Sequence, residues 1–396
     1  MEKLRQKFFE KYSYFQLNSV RNIMHKIDWN NRLIGIRGSR GVGKTTLILQ
    51  YIKQNYKADN KVLYVSLDDL FFAENRFYDL AEEFYKKGGE LLAVDEVHGY
   101  PNWSAEIKNV YDDMPNLQVI FTGSSLLQLR NAKADLSRRA VIYQMPGLSF
   151  REFVGFETNK EFPVLDFEEL LNNHTEIAIS HLSEYKPLAY FSHYLNYGYY
   201  PFYLENKESF HQKLSEIILT VLEVDIPKSA NIPISNIIFL KKLLAIISRS
   251  VPYKPNLNSL SQRTGISLNT LKVYIKLLRD AELINLLGVE DKGTNSINKP
   301  EKIYLNNSNL MYNLADSQSD IGNIRETFFY NQISRYYKVD ISKNSDFQVN
   351  KYTFEIGGKS KTKKQIVGIP NSFVVKDNIE IGSGNIIPLW MFGLLY

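Results

Sequence analysis

The stretch "GSRGVGKT", residues 38–45, constrains this chain more than any other. It follows a short apolar run at 33–36 and precedes an amphipathic one, so it reads as strand, glycine-rich loop and helix. The pattern is G-x-x-x-x-G-K-S/T, carried by Gly38, Gly43, Lys44 and Thr45. Glycines let the backbone curl so that its N–H groups converge on phosphate oxygens. The following helix points its positive end at the same place. Lys44 is expected to reach the β- and γ-phosphates, and the Thr45 hydroxyl to ligate Mg²⁺. The expected phosphate cradle is therefore Gly38, Ser39, Arg40, Gly41, Val42, Gly43, Lys44, Thr45 and Thr46.

Three more apolar runs read as strands: "VLYV" at 62–65, "LLAVDE" at 91–96 and "LQVIFTGSS" at 117–125. A helical stretch lies at 76–87. Strands alternating with helices predict an α/β fold, a parallel sheet with helices on both faces. Right-handed crossovers then gather the loops after the strands along one edge, where ligands bind. The strand ending in Asp95 would set a carboxylate facing the Mg²⁺ held by Thr45, through water or directly. Glu96 would point at the γ-phosphate and orient the attacking water. In "VIFTGSS", Thr122 or Ser124 would hydrogen-bond that water or the γ-phosphate. The same hydroxyls would also suit the N-cap of a helix at 126–130.

"GSRGVGKTT", "VDEVHGYPNWSAEIKNVYDD", "FTGSSLLQL" and "LSFREF" together resemble a bacterial and archaeal family of AAA-type P-loop ATPases. That family joins the ATPase to a carboxy-terminal region of winged-helix and nuclease-like character. Ser39 stands where the family often has Pro, and His98 where it often has Gln. The resemblance implies ATP rather than GTP, with Mg²⁺. It also implies that Arg139, in "LSRRA", stabilises transition-state charge in its own site or a neighbour's, and the latter would make the chain a homo-oligomer. An Arg138–Arg139 pair on a surface loop is the plainer alternative.

Composition excludes several classes. The 396 residues exceed one ordinary core, Cys is absent, and the net charge is only +5. No thiolate chemistry or disulfide is available, and so mild a charge does not by itself argue for nucleic acid. The amino terminus has no apolar core, and no apolar run approaches membrane-spanning length, so a cytoplasmic protein without membrane contact is expected. The final "IIPLWMFGLLY" reads as a core strand or a partner contact.

"YFSHYLNYGYYPFY", 190–203, is dense in aromatics yet has no Lys or Arg. It reads as core packing rather than a stacking platform for single strands. Residues 257–284 have helix–turn–helix character, with Gly265 at the turn and Ser267 as N-cap. Leu271, Tyr274, Ile275 and Leu278 form the buried stripe. Asn269, Lys272, Lys276 and Arg279 are then exposed to DNA, or the element is merely a connector.

The last third carries a second acidic pattern. A metal-dependent nuclease sets one acid on a strand, another on the next, and a Lys two residues later, often with a further acid on a preceding helix. Here Glu326 fits the helix, and Asp346 and Glu355 the strands. The expected lysine position is Gly357, and Lys359 follows two residues on. Either Gly357-Gly358 returns Lys359 to the acids, or "KSKTKK" is a phosphate-binding lip or a solvated turn.

The expected division is an ATPase domain at 1–160, a helical lid at 161–250, a winged helix–turn–helix at 251–300 and a small nuclease-like α/β domain at 301–396. The expected function is Mg²⁺-dependent ATP hydrolysis coupled to the carboxy-terminal region, acting on DNA through the winged helix and the basic run. The alternatives are a slow ATP-dependent switch that recruits a protein partner, and an ATP-gated nuclease.

Overall fold

The computed structural model describes residues 1–15, 19–123, 136–288, 300–314 and 320–396. Ser124 and the helix expected at 126–130 lie outside the described residues. Two compact units form. The first comprises Met1–Gly147 together with Val224–Ile232, and the second comprises Leu148–Glu223 together with Pro233–Tyr396.

The first unit is built on β1 (Leu33–Arg37), β2 (Val62–Ser66), β3 (Leu91–Asp95), β4 (Gln118–Gly123) and β5 (Val141–Gln144). All pairings are parallel, in the order β2-β3-β4-β1-β5. Strands β1 to β4 are apolar on both faces and almost wholly buried, as a sheet covered by helices on both sides requires. The helices Lys44–Asn55, Phe77–Lys86 and Trp103–Asp113 follow β1, β2 and β3, so each pair of strands is joined by a crossover. Strand β1 lies beside β4, not β2, and the chain therefore reverses its winding next to the glycine-rich loop, where ligands settle in such sheets.

The second unit begins at Leu148. The helix Phe150–Thr158 belongs with the later chain because its rings pack there: Phe150 lies against Phe191, Tyr194 and Trp390. The tyrosine block is core, with Tyr194, Tyr199, Tyr200 and Tyr203 all buried. Helices Leu257–Thr264 and Leu268–Asp280 meet at Gly265, whose φ of +75 suits a residue without Cβ. Ser267 caps the second helix by accepting from the Thr270 N–H, and Leu271, Tyr274, Ile275 and Leu278 are buried. An antiparallel pair follows, β6 (Ile284–Leu287) with β7 (Lys302–Leu305).

The last strands are β8 (Val339–Asp340), β9 (Phe347–Val349), β10 (Tyr352–Gly357), β11 (Ser372–Lys376) and β12 (Ile386–Pro388). They form one mixed sheet in the order β12-β11-β10-β9-β8, with β8, β9 and β10 antiparallel and β10, β11 and β12 parallel. The terminal apolar run is mostly not strand: after β12 it winds into a buried 3-10 helix, Leu389–Leu394. Among the described residues no helix is long and apolar enough to cross a membrane.

Candidate active site

The glycine-rich loop is tied down from beneath. A Cβ on Gly38 would lie 2.2 Å from the Met145 carbonyl oxygen, so only glycine fits. Gly41 and Gly43 take φ of +86 and +94, which turns successive N–H groups toward one side. The buried Arg21 guanidinium donates to the Val42, Pro146 and Gly147 carbonyls, each at 2.9 Å. Sequence reasoning missed Arg21. Lys44 is buried, and its Nζ donates to the Gly38 and Ser39 carbonyls at 3.0 and 2.9 Å. The ammonium is thus folded back onto the loop whose ligand it would meet.

Asp95 ends β3, between β2 and β4, and it gathers four donors. Oδ2 accepts from Thr45 Oγ1 at 2.6 Å and from the Tyr64 hydroxyl at 2.7 Å. Oδ1 accepts from Thr122 Oγ1 and from the Glu96 N–H at 3.1 Å. A carboxylate offers about four lone-pair sites, so this one is filled. Tyr64 was not anticipated. Its signal was a tyrosine inside an apolar strand, since a buried hydroxyl needs an acceptor. Burial and the adjacent Asp95 push the Tyr64 hydroxyl well above its ordinary pKa, so it stays a donor.

Thr122 departs from expectation. Its hydroxyl is spent on Asp95, and it accepts the Glu96 N–H at 3.1 Å, so it orders the acid pair rather than facing the water or phosphate. Glu96 itself sits in the left-handed region, φ +52, which swings its side chain out of the β3 line. There Oε2 lies 3.1 Å from His98 Nδ1. Beside Thr45, Asp95 and Glu96 opens a cleft of about 850 Å³, walled on its far side by the amino-terminal helix Glu2–Tyr14.

Arg139 lies elsewhere. It precedes β5, and Val141 pairs with Ile34 near the start of β1, whereas the phosphate loop follows the end of β1 at Arg37. Arg139 is therefore at the opposite edge of the sheet from its own loop, where it forks onto Asp112 at 2.8 and 2.9 Å. A contribution to its own site is corrected on that ground.

In the second unit the carboxy-terminal acids come partly together. Asp346 lies one residue before β9, whose Phe347 pairs with Phe354 of β10, and it accepts the Ile356 N–H at 2.8 Å. Burial, the Glu326 carboxylate and then Glu355 push the Asp346 carboxyl up to about 6, against that hydrogen bond. Glu326 accepts from the Tyr304 hydroxyl at 2.7 Å and lies 3.5 Å from Lys302 Nζ. Glu355 is buried, within 2.8 Å of Ser345 Oγ and ion-paired with Lys361. Lys359 is exposed and not seated on the acids. The chain does turn at Gly358, whose carbonyl accepts the Lys361 N–H at 2.9 Å, but the turn delivers Lys361. The Lys361 stem crosses Gly357, where a Cβ would meet it at 2.6 Å. Among the described residues no three His, Asp or Glu side chains are gathered closely enough to hold a metal ion.

On the second helix–turn–helix element Asn269 and Lys272 are exposed and Lys276 is half-exposed. Arg279 turns aside to Asp280 at 3.1 Å.

Residues 30–154 match the family described as AAA domain, and residues 188–321 match a domain of unknown function. No curated protein matches the chain. Among solved structures, a Walker-type ATPase of Pyrococcus abyssi is 14% identical, covers 76% of this chain and 99% of its own, and has a TM-score of 0.43. AMPPCP-bound DnaA from Aquifex aeolicus is 18% identical over 70% of this chain and 88% of its own, at 0.27. The Hsp104–ADP complex of S. cerevisiae is 16% identical over 68% and 41%, at 0.32. Such distant likenesses leave the assignment to the loop, the sheet order and the family match. On those three observations the first unit carries a P-loop ATPase domain of the AAA type, a fold that implies binding and hydrolysis of ATP.

Proposed function

We propose that the chain is a Mg²⁺-dependent ATPase whose nucleotide state governs its carboxy-terminal part, which acts on DNA. The observation that carries the first half is the 2.6 Å contact between Thr45 and Asp95, 50 residues apart in sequence. It brings the loop hydroxyl and the strand-end carboxylate to one point beside Lys44.

These residues suit Mg²⁺: hydroxyl and carboxylate oxygens are hard donors, and this ion takes few protein oxygens and keeps its waters. Thr45 would ligate it, and Asp95, its lone pairs already filled, would act through a bound water. When bound, the ion neutralises charge on the β- and γ-phosphate oxygens. Lys44 leaves the Gly38 and Ser39 carbonyls for those oxygens, a short swing within one loop. The loop N–H groups bind the phosphates. Glu96, once released by His98, accepts a hydrogen bond from water and orients it on the terminal phosphate.

Lys44→Ala is expected to abolish nucleotide binding. Glu96→Gln is expected to bind ATP and hydrolyse it about 100-fold more slowly. Glu96→Gln turning over at the wild-type rate would remove Glu96 from this role. Support for DNA comes from the exposed Asn269 and Lys272 on the helix that follows Gly265. Hydrolysis assayed with single- and double-stranded DNA and RNA tests it. A slow rate indifferent to all four favours a switch that recruits a protein.

A second reading, ATP-gated cleavage of DNA, is favoured by Lys361 seated on Glu355 beside Asp346, where the nuclease pattern wants a lysine. Plasmid incubated with Mg²⁺ or Mn²⁺ beside an Asp346→Ala control tests it. Cutting that survives the substitution lies at another site.

A further inference from the structure

One chain of contacts in the first unit runs from the phosphate loop to Glu96. Arg40 is the third residue of the phosphate loop. Its guanidinium forks onto Asp225, Nε to Oδ2 at 3.2 Å and the terminal nitrogen to Oδ1 at 3.0 Å. The same Oδ1 lies 3.7 Å from His98 Nε2. The other imidazole nitrogen, Nδ1, is 3.1 Å from Glu96 Oε2. Asp225 and the His98 side chain are both buried, so little water competes. Burial pushes the Asp225 carboxyl up, but the neighbouring His98 and the Arg40 guanidinium outweigh this and hold it below the ordinary carboxylate range.

The guanidinium thus stands on the phosphate loop and is joined to Glu96 by three contacts, through Asp225 and His98. A guanidinium fork accepts a carboxylate or a phosphate in the same bidentate way. It cannot serve both fully at once. We propose that Asp225 is a positioning residue for ATP hydrolysis, holding Arg40 in place of the terminal phosphate and, through His98, holding Glu96 until ATP exchanges with it. The exchange presupposes ATP as the ligand of this loop. ADP, lacking that phosphate, leaves Arg40 on Asp225. Asp225 also sits in a segment, Val224–Ile232, that belongs to the first unit while the chain on either side of it belongs to the second. Release of Asp225 therefore acts on a stretch whose two ends continue into the rest of the chain.

The test is the ratio of affinities for a non-hydrolysable ATP analogue and for ADP, measured by calorimetry on the full chain. The ratio is internal to each variant and so is insensitive to the fraction that folds. Asp225→Asn is expected to raise it about tenfold, because the analogue no longer displaces a carboxylate. Arg40→Gln is expected to lower it by a similar factor. In the Arg40→Gln background, Asp225→Asn should then change it little, since the two act as one pair. His98→Ala should leave the ratio near wild type while altering kcat. Equal shifts for both nucleotides in Asp225→Asn, or the full shift persisting without Arg40, would overturn the exchange. Should Asp225→Asn not fold, an unchanged ratio in Arg40→Gln overturns it alone. Failure of the unaltered chain to bind either nucleotide would instead sink the ATP assignment itself.

Discussion

Asp95 and Asp346 are both carboxylates at strand ends, each placed where a metal would be sought. Their surroundings are opposite. Asp95 is met by Thr45, Tyr64, Thr122 and the Glu96 N–H, four donors on two oxygens. Asp346 is met by one N–H and two neighbouring carboxylates, Glu326 and Glu355. The first charge is solvated by the protein itself, at a cost already met in folding. The second is buried and then crowded by its own sign, which together raise its pKa to about 6. The difference teaches what each site waits for. Donors arranged around a charge make a rigid support that needs no ion, whereas like charges pressed together are relieved by a proton or a cation.

The comparison breaks most clearly at Asp95. Asp95→Ala strands the Thr45, Tyr64 and Thr122 hydroxyls, and it is expected to slow ATP turnover by at least about 100-fold and to cost about 3 kcal/mol of stability. Turnover assays and denaturant melts check both, and a stabilised variant would refute the account of four donors. At the other site, Lys361→Ala leaves Glu355 buried beside Asp346 without its cation. About 1–3 kcal/mol should be lost, discounted because the Lys361 side chain is 31% exposed. Lys359→Ala should stay within about 0.5 kcal/mol of wild type. Equal losses would mean that the lysine run acts as a whole.

The proton shows the contrast without any change in chain shape. An acid whose folded pKa is raised, from 3.8 to about 6, stabilises the fold below the lower value and loses that contribution as pH rises through the upper one. Asp346→Asn keeps an acceptor for the Ile356 N–H and removes the charge. It is expected to stabilise by about 1–2 kcal/mol at pH 7.5 and hardly at all near pH 4, read as melting temperatures at both. A gain at acid pH alone would reverse the sign and defeat the explanation. Tyr64→Phe is the mildest test. It takes one donor of four from Asp95, so about 1 kcal/mol of stability and a few-fold of turnover should go.

The phosphate loop, the parallel strands and the pair Asp95–Glu96 could be read directly, because strand, turn and helix periodicities are local and the chemistry sits on adjacent residues. The partners of that chemistry could not. Asp225 reaches Arg40 across 185 residues, and no local pattern marks it. Nor does local sequence reveal that β5 runs parallel to β1, which puts Arg139, just before its start, at the edge away from the phosphate loop. Spacing along an extended strand points to Lys359, whereas the chain turns at Gly358 and so seats Lys361 instead. The Thr122 hydroxyl had the right place and a different task, since a strand-end carboxylate next door took it first.

The insertion of Val224–Ile232 into the first unit has a practical side. The backbone passes from one unit to the other at three points, Gly147–Leu148, Glu223–Val224 and Ile232–Pro233. No single scissor cut separates them. A fragment stopped at 147 would carry the phosphate loop and yet lack Asp225, the partner of the Arg40 guanidinium and a neighbour of the His98 ring. Such a truncation would report on a damaged enzyme, and its activity, high or low, would say little about the whole chain. Anyone wishing to handle the first unit alone would have to splice the nine missing residues back in.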